Sequence, residues 1–248
     1  EGVEEYDILH LAADLTGLLD AYGENRAVFV GHDWGALLTW PLALLAPERV
    51  RAVANLSVPF FPRPAMPMTE IFKAMTGRAF FYILYFQQRD TPEEELSRDV
   101  RHTLLTMYWA WSGESPRRAF QRIEKDAGTY LDQFPDPPRL PSWLSQEDLE
   151  VYVHAFERTG FRGPLNYYRN FDRTWELTAH LDGAVPKQPV LFAMGDRDTV
   201  RRMSPPDVMD GLGLDLRTHL ILPGCGHWTQ QERPAEINDA LIRFLATL

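Results

Sequence analysis

The chain has a single cysteine, Cys225, among 248 residues, so no disulfide can form within it and a reducing, cytoplasmic compartment is expected. It has no apolar run long enough to cross a bilayer, and its first residues, "EGVEEYDILHL", carry no signal-peptide pattern. Basic residues are the minority charge, 25 against 35 acidic ones, for a net charge of −10, and they form no cluster. That excludes nucleic acid or an anionic membrane surface as the main partner. Internal repeats and low-complexity tracts are also missing. What is present is an ordinary globular composition, 45% apolar and 24% charged, in a length that suits one core or a core plus a smaller domain.

Residues 7–22 place apolar side chains at helical spacing and end at Gly23, a C-cap residue. Residues 27–30 are continuously apolar, as expected of a strand buried on both faces of a parallel sheet. A helix over about 36–45 and a strand over 51–56 follow, which is the alternation of an α/β fold. The proline-rich "SVPFFPRPAMPMT" then leaves that pattern. From about residue 70 to 169 the reading is helical and rich in aromatics, broken once by "QFPDPPRLPSW". Alternation returns with strands at 189–194 and 217–222, a helix around 207–211 and a last helix over 234–248. The resulting division is an α/β core at 1–58 and 175–248 around an inserted helical lid at 59–174.

The most informative stretch is "VFVGHDWGA", residues 28–36. An apolar strand ending in Gly-x-nucleophile-x-Gly before a helix is a nucleophile elbow. The residue at its centre is Asp33, where such turns commonly carry serine. A carboxylate is ionised at neutral pH and attacks without a base to deprotonate it. Against an acyl group it would give an unstable anhydride, whereas at saturated carbon it gives an alkyl ester. Hydrolysing that ester requires a histidine base and an orienting acid. Both occur in the chain order expected of this elbow: Asp198 in "LFAMGDRDTV" and His227 in "LPGCGHWTQ", each just beyond a strand. Asp196 is the rival acid, and Asp198 is preferred. The other histidines, His32 included, read as surface or capping residues, and Cys225 as a small buried one. The backbone N–H of Trp34, following the nucleophile, would supply half of an oxyanion hole.

Two electrophiles suit such an aspartate. A halide leaves as a stable anion and needs only N–H donors. An epoxide opens to a strongly basic alkoxide, for which a tyrosine makes a good proton donor. "AFFYILYFQ" (79–87) and "GFRGPLNYYRN" (160–170), together with "GHDWG" and "GCGHWTQ.E.P", resemble the lid and core motifs of the soluble epoxide hydrolases over essentially the whole chain. The resemblance implies an α/β-hydrolase fold, conversion of epoxides and water to vicinal diols, and no metal or organic cofactor. It assigns the oxygen-binding tyrosines to Tyr82 and Tyr168, leaving Tyr85 and Tyr167 as packing residues. Trp34, Phe81 and Trp109 are expected to line an apolar substrate pocket, with the lid core as the alternative place for the last two. A haloalkane or haloacetate dehalogenase, which shares the elbow, is the competing reading and would tolerate loss of both tyrosines. A homodimer stays open.

The same family places a His-Gly-x-Pro loop after an early strand as the second oxyanion donor, and no His-Gly pair occurs in this sequence. Four candidate strands are legible, about half the family's sheet. The expectation is therefore that these residues are the C-terminal part of a longer polypeptide. Alone they would be poorly soluble and nearly inactive, since one lost oxyanion donor costs roughly a hundred- to a thousand-fold in rate.

Overall fold

In the computed structural model, which describes residues 2–116 and 128–248, four parallel strands form one sheet in the order β1 (Ala27–His32), β2 (Val50–Leu56), β3 (Pro189–Gly195) and β4 (Asp215–Leu222). Helix α1 (Ile8–Tyr22) precedes the sheet, and α2 (Trp34–Leu45) connects β1 to β2. Between β2 and β3 lie α3 (Met68–Thr76), α4 (Tyr82–Tyr85), α5 (Thr91–Ser97), α6 (Val100–Trp111), α7 (Gln146–Thr159), α8 (Arg162–Arg169) and α9 (Phe171–Leu177). After β3 comes α10 (Val200–Met203), and after β4 come α11 (Thr229–Glu232) and α12 (Pro234–Leu245). Residues 117–127, within the span read as helical, lie outside the described residues.

Strands β2 and β3 are apolar at nearly every position because both faces of the sheet are covered. Val53, Val190, Phe192 and Met194 join a cluster with Trp40 and Leu42 of α2, while Ala52, Ala54, Leu191 and Ala193 join one with Ile237 and Phe244 of α12. Each large side chain buried this way contributes about 1.5–3 kcal/mol. The expectation for residues 27–30 needs correction. β1 lies at a sheet edge, its residues are mostly half-buried, and Val30 is 54% exposed, because only one neighbouring strand pairs with it. The helix expected at 207–211 is a single 3-10 turn, Pro206–Met209, ended by extended backbone at Asp210 and by Gly211 at φ 75°, before a second turn can form.

Asp7 joins the core to the helical insertion. Its Oδ1 accepts from the N–H groups of Leu9 and His10, capping α1, and its Oδ2 accepts from Arg173 Nε of α9 at 2.9 Å. The carboxyl is 1% exposed, and although burial pushes its pKa up, these partners together hold it below the ordinary carboxylate range.

At the end of β1 the chain passes through Gly31 into the elbow. A Cβ on Gly31 would overlap the Gly35 carbonyl and lie 2.7 Å from Ala36 N, whereas a Cβ on Gly35 meets nothing within 4 Å. Only the first glycine of the motif is therefore sterically required. Gly31→Ala should lower stability by about 1–3 kcal/mol, the usual range for forced overpacking. Gly35→Ala, at an open position early in α2, should be neutral or stabilising by a few tenths to about 1 kcal/mol. Urea denaturation of the two variants checks this, and equal losses would refute it.

Candidate active site

Asp33 follows β1 directly and caps α2 with φ 52° and ψ −114°, a conformation that L-residues adopt at a cost of roughly 1–3 kcal/mol. The turn is held by Asp33 N–H donating to Leu56 O at 3.3 Å and by Leu37 N–H donating to Asp33 O at 3.0 Å. Its carboxylate thereby meets the positive end of α2, and a third of the side chain remains exposed. Burial raises the Asp33 pKa, but hydrogen bonding and charge from His227, the nearby His32 and the Trp34 N–H outweigh it and lower the pKa overall.

The loops after β3 and β4 bring Asp198 and His227 to the same end of the sheet. His227 Nδ1 lies 3.1 and 3.2 Å from the two Asp198 oxygens, and Nε2 lies 3.4 Å from Asp33 Oδ2. Among the described residues the partners of Nδ1 are carboxylate oxygens, so Nδ1 carries a proton, and Nε2 faces Asp33. Burial would lower the His227 pKa, but Asp198 first and then Asp33 raise it to about 10. Asp198 is itself fixed by the Val200 N–H, 2.9 Å from Oδ1. Asp196 turns elsewhere, accepting from Gly224 N–H at 2.7 Å at the surface.

His32 is not the surface residue expected. Its ring centre is 4.7 Å from that of His227, and its Nε2–H donates to the His227 carbonyl at 2.7 Å. Burial, then the charge of His227, lowers its pKa to about 4 and keeps it neutral. Ser57 Oγ donates to the same carbonyl at 2.8 Å, and the His227 N–H donates to Trp111 O at 2.9 Å. The only sequence signal for His32 is its place beside Asp33, and Ser57 offers none.

Tyr82 and Tyr168 come from α4 and α8, and their rings meet edge-on at 5.8 Å on the wall of a cavity of about 530 Å³ that also contains Asp33. Burial is the main cause that pushes both phenols well above the usual value; Asp33's charge adds to it, as does the Tyr82–Tyr168 pairing at Tyr82. Both stay protonated at neutral pH. The segment around α4 is bound to α8 by Gln87 Nε2, which donates to Tyr168 O at 2.9 Å, and by Arg169, 5% exposed, whose guanidinium donates to both Glu93 oxygens at 2.7 and 2.9 Å and to Phe86 O at 3.2 Å. Tyr85 points away and donates to Glu95 at 2.8 Å. Tyr167 lines the cavity beside Trp34.

Trp34 lines the cavity, its ring among Tyr167, Tyr168 and Phe171. Phe81 and Trp109 do not line it. Phe81, in extended backbone just before α4, packs on Phe72 at 5.0 Å, and Trp109 is buried under the Arg139 guanidinium on a face of α6 turned from the opening. Among the described residues no group of three or more His, Cys, Asp or Glu side chains could hold a metal ion, and no helix is long and apolar enough to cross a membrane.

Residues 2–234 match the family described as the alpha/beta hydrolase fold. Over its whole length the chain is 44% identical to Epoxide hydrolase A of Mycobacterium tuberculosis, of which it covers 77%. The chain belongs to the α/β-hydrolase-fold epoxide hydrolases. It is also 37% identical to Bifunctional epoxide hydrolase 2 of Sus scrofa, covering 43% of that longer protein. The crystal structure of Epoxide Hydrolase A from Mycobacterium thermoresistibile superposes with a TM-score of 0.93 at 46% identity, over 99% of this chain and 77% of that one.

In this epoxide hydrolase relative the pKa of His227 implies a pH-dependent stability. A folded-state pKa raised from 6.5 to about 10 gives a contribution fully present below about pH 6.5 and lost as pH rises through 10. Asp198→Asn removes the largest upward influence. Its melting temperature should therefore fall less between pH 7 and pH 10 than that of the unmutated protein, while lying below it at pH 7. Parallel melting curves across that range would contradict the assignment.

Proposed function

We propose that the protein hydrolyses apolar epoxides to vicinal diols through an ester on Asp33, with the core at 1–58 and 175–248, the lid at 59–174 and no cofactor. The observation that carries this reading is the placement of two protonated tyrosines and one carboxylate on a single, mostly apolar cavity wall. A halide would need no such proton donors, so the tyrosine pair favours an epoxide over the dehalogenase reading. The lone buried Cys225 agrees with a cytoplasmic site of action.

In the first step an Asp33 oxygen attacks the accessible ring carbon, and the C–O bond breaks with its electrons on oxygen. Tyr82 and Tyr168 bind that oxygen, and one of them gives it a proton. Asp33 is now a neutral ester, so His227 has lost one of the two charges that held its proton. That proton restores the tyrosine and leaves Nε2 free as a base. In the second step His227 takes a proton from water, and the hydroxide adds to the Asp33 carbonyl carbon. The Trp34 N–H stabilises the resulting oxyanion. Collapse expels the diol oxygen, which takes the proton of the new carboxyl group. Asp33 is again a carboxylate and His227 is protonated as at the start, so the cycle closes with one water consumed.

His227→Gln should form the ester and fail to release it. Intact-mass spectrometry after incubation with styrene oxide should show one substrate mass added at Asp33, with diol production reduced on the order of a thousand-fold or more. Absence of an adduct in a folded variant would contradict the two-step route. Diol formation that persists in the Tyr82→Phe/Tyr168→Phe double variant would contradict the role of the tyrosines.

A further inference from the structure

Glu232 takes no part in these steps, yet its carboxylate accepts three backbone N–H groups around the histidine loop. It ends α11, five residues after His227, and belongs to the "GCGHWTQ.E.P" motif. Oε2 accepts from Gly226 N–H and from Gly113 N–H, each at 2.9 Å, and Oε1 accepts from Trp228 N–H at 3.2 Å. Gly226 and Trp228 flank His227, whereas Gly113 lies two residues past α6, in the helical insertion. One carboxylate thus ties the loop carrying His227 to the end of a lid helix. Hydrogen bonds to an ionised acceptor are about twice as strong as neutral ones.

The seam it closes is tight and specific. A Cβ on Gly113 would overlap Gly224 O and lie 2.7 Å from Gly226 N. Across the same seam His227 N–H donates to Trp111 O at 2.9 Å, Arg197 Nη1 to Gly113 O at 2.8 Å and Trp228 Nε1 to Tyr108 O at 3.1 Å. Asp33, Tyr82 and Tyr168 stand on other elements.

We infer that Glu232 is a positioning residue for the second half-reaction. It fixes the histidine loop on the end of α6 and so sets where His227 Nε2 stands against the Asp33 ester. Epoxide opening uses Asp33 and the tyrosines and does not require His227 as a base, whereas ester hydrolysis does. Displacing a catalytic group by about 1 Å costs on the order of a hundred-fold in rate. An amide at position 232 keeps the size, but its one oxygen can accept from Gly226 and Gly113 only by turning the NH2 group onto the Trp228 N–H, and it accepts as a neutral group, so every bond made here is weakened or lost. This inference rests on the ester route proposed above.

The test is single-turnover quench-flow with styrene oxide, reading ester formation and ester decay separately by intact mass. In Glu232→Gln the formation rate should stay within about threefold of the unmutated protein. Decay should slow by roughly 10- to 100-fold, with ester visible at steady state. Gly113→Ala, which wedges the seam from the lid side, should give the same signature and decides the matter if Glu232→Gln does not fold. Equal slowing of both steps would reduce Glu232 to a general structural role and overturn the inference, as would unchanged decay. His227→Gln is the reference: if it traps ester while both seam variants hydrolyse normally, the inference alone fails. If it traps none, the ester route fails and takes the inference with it.

Discussion

A histidine ring buried between two carboxylates is electrostatically stable while it holds a proton, and much of this structure depends on that arrangement. His227 is 3% exposed, with Asp198 against one ring nitrogen and Asp33 against the other. Burial alone would expel the proton, and the two negative charges retain it. The cation in turn helps keep Asp33 ionised inside a mostly apolar cavity. Neutralising Asp33 by esterification would remove part of what holds the proton on His227. One charge change would then convert a counter-ion into a base, and no movement of the chain is needed.

Holding three such groups together requires several chain segments to meet at fixed distances. The carboxyl ends of β1, β3 and β4 deliver Asp33, Asp198 and His227, as open parallel sheets present their functional loops. The insertion is tied to the core by Asp7 on Arg173 and Glu232 on Gly113, and is braced internally by Glu93 on Arg169. Each tie places a carboxylate that is buried or half-buried against N–H donors, and breaking one partner leaves the other uncompensated at a cost of several kcal/mol for a fully buried pair. These contacts add rigidity where the tyrosines and the histidine must face one small volume.

Much of this was legible in the residues. The elbow, the chain order of aspartate, aspartate and histidine, and the exit of the chain between residues 56 and 189 all follow from turn chemistry and periodicity, which are local. The choice between Asp198 and Asp196 is decided by which carboxylate faces the ring, two residues apart on one turn, and periodicity does not resolve that. Phe81 and Trp109 are expected in the pocket because they are aromatic, but neither an extended residue before a helix nor a single position on α6 reveals which side faces the opening. β1 reads as a buried strand from its composition, while its exposure depends on how many strands flank it. His32 and Ser57 are missed because the group they serve, the His227 carbonyl, is far along the chain; Glu232 stands in a quoted motif, but its bond to Gly113 is equally distant. A side chain serving a distant peptide group leaves no pattern in its own neighbourhood.

In the proposed route the oxygen entering the diol comes from Asp33, while the oxygen of water enters Asp33. A single turnover in water enriched in oxygen-18, with protein in excess over styrene oxide, separates the two directly. An Asp33 ester gives unlabelled diol and a gain of one heavy oxygen in the peptide containing Asp33. Labelled diol with an unlabelled Asp33 peptide would mean that water attacks the epoxide directly, and would contradict it.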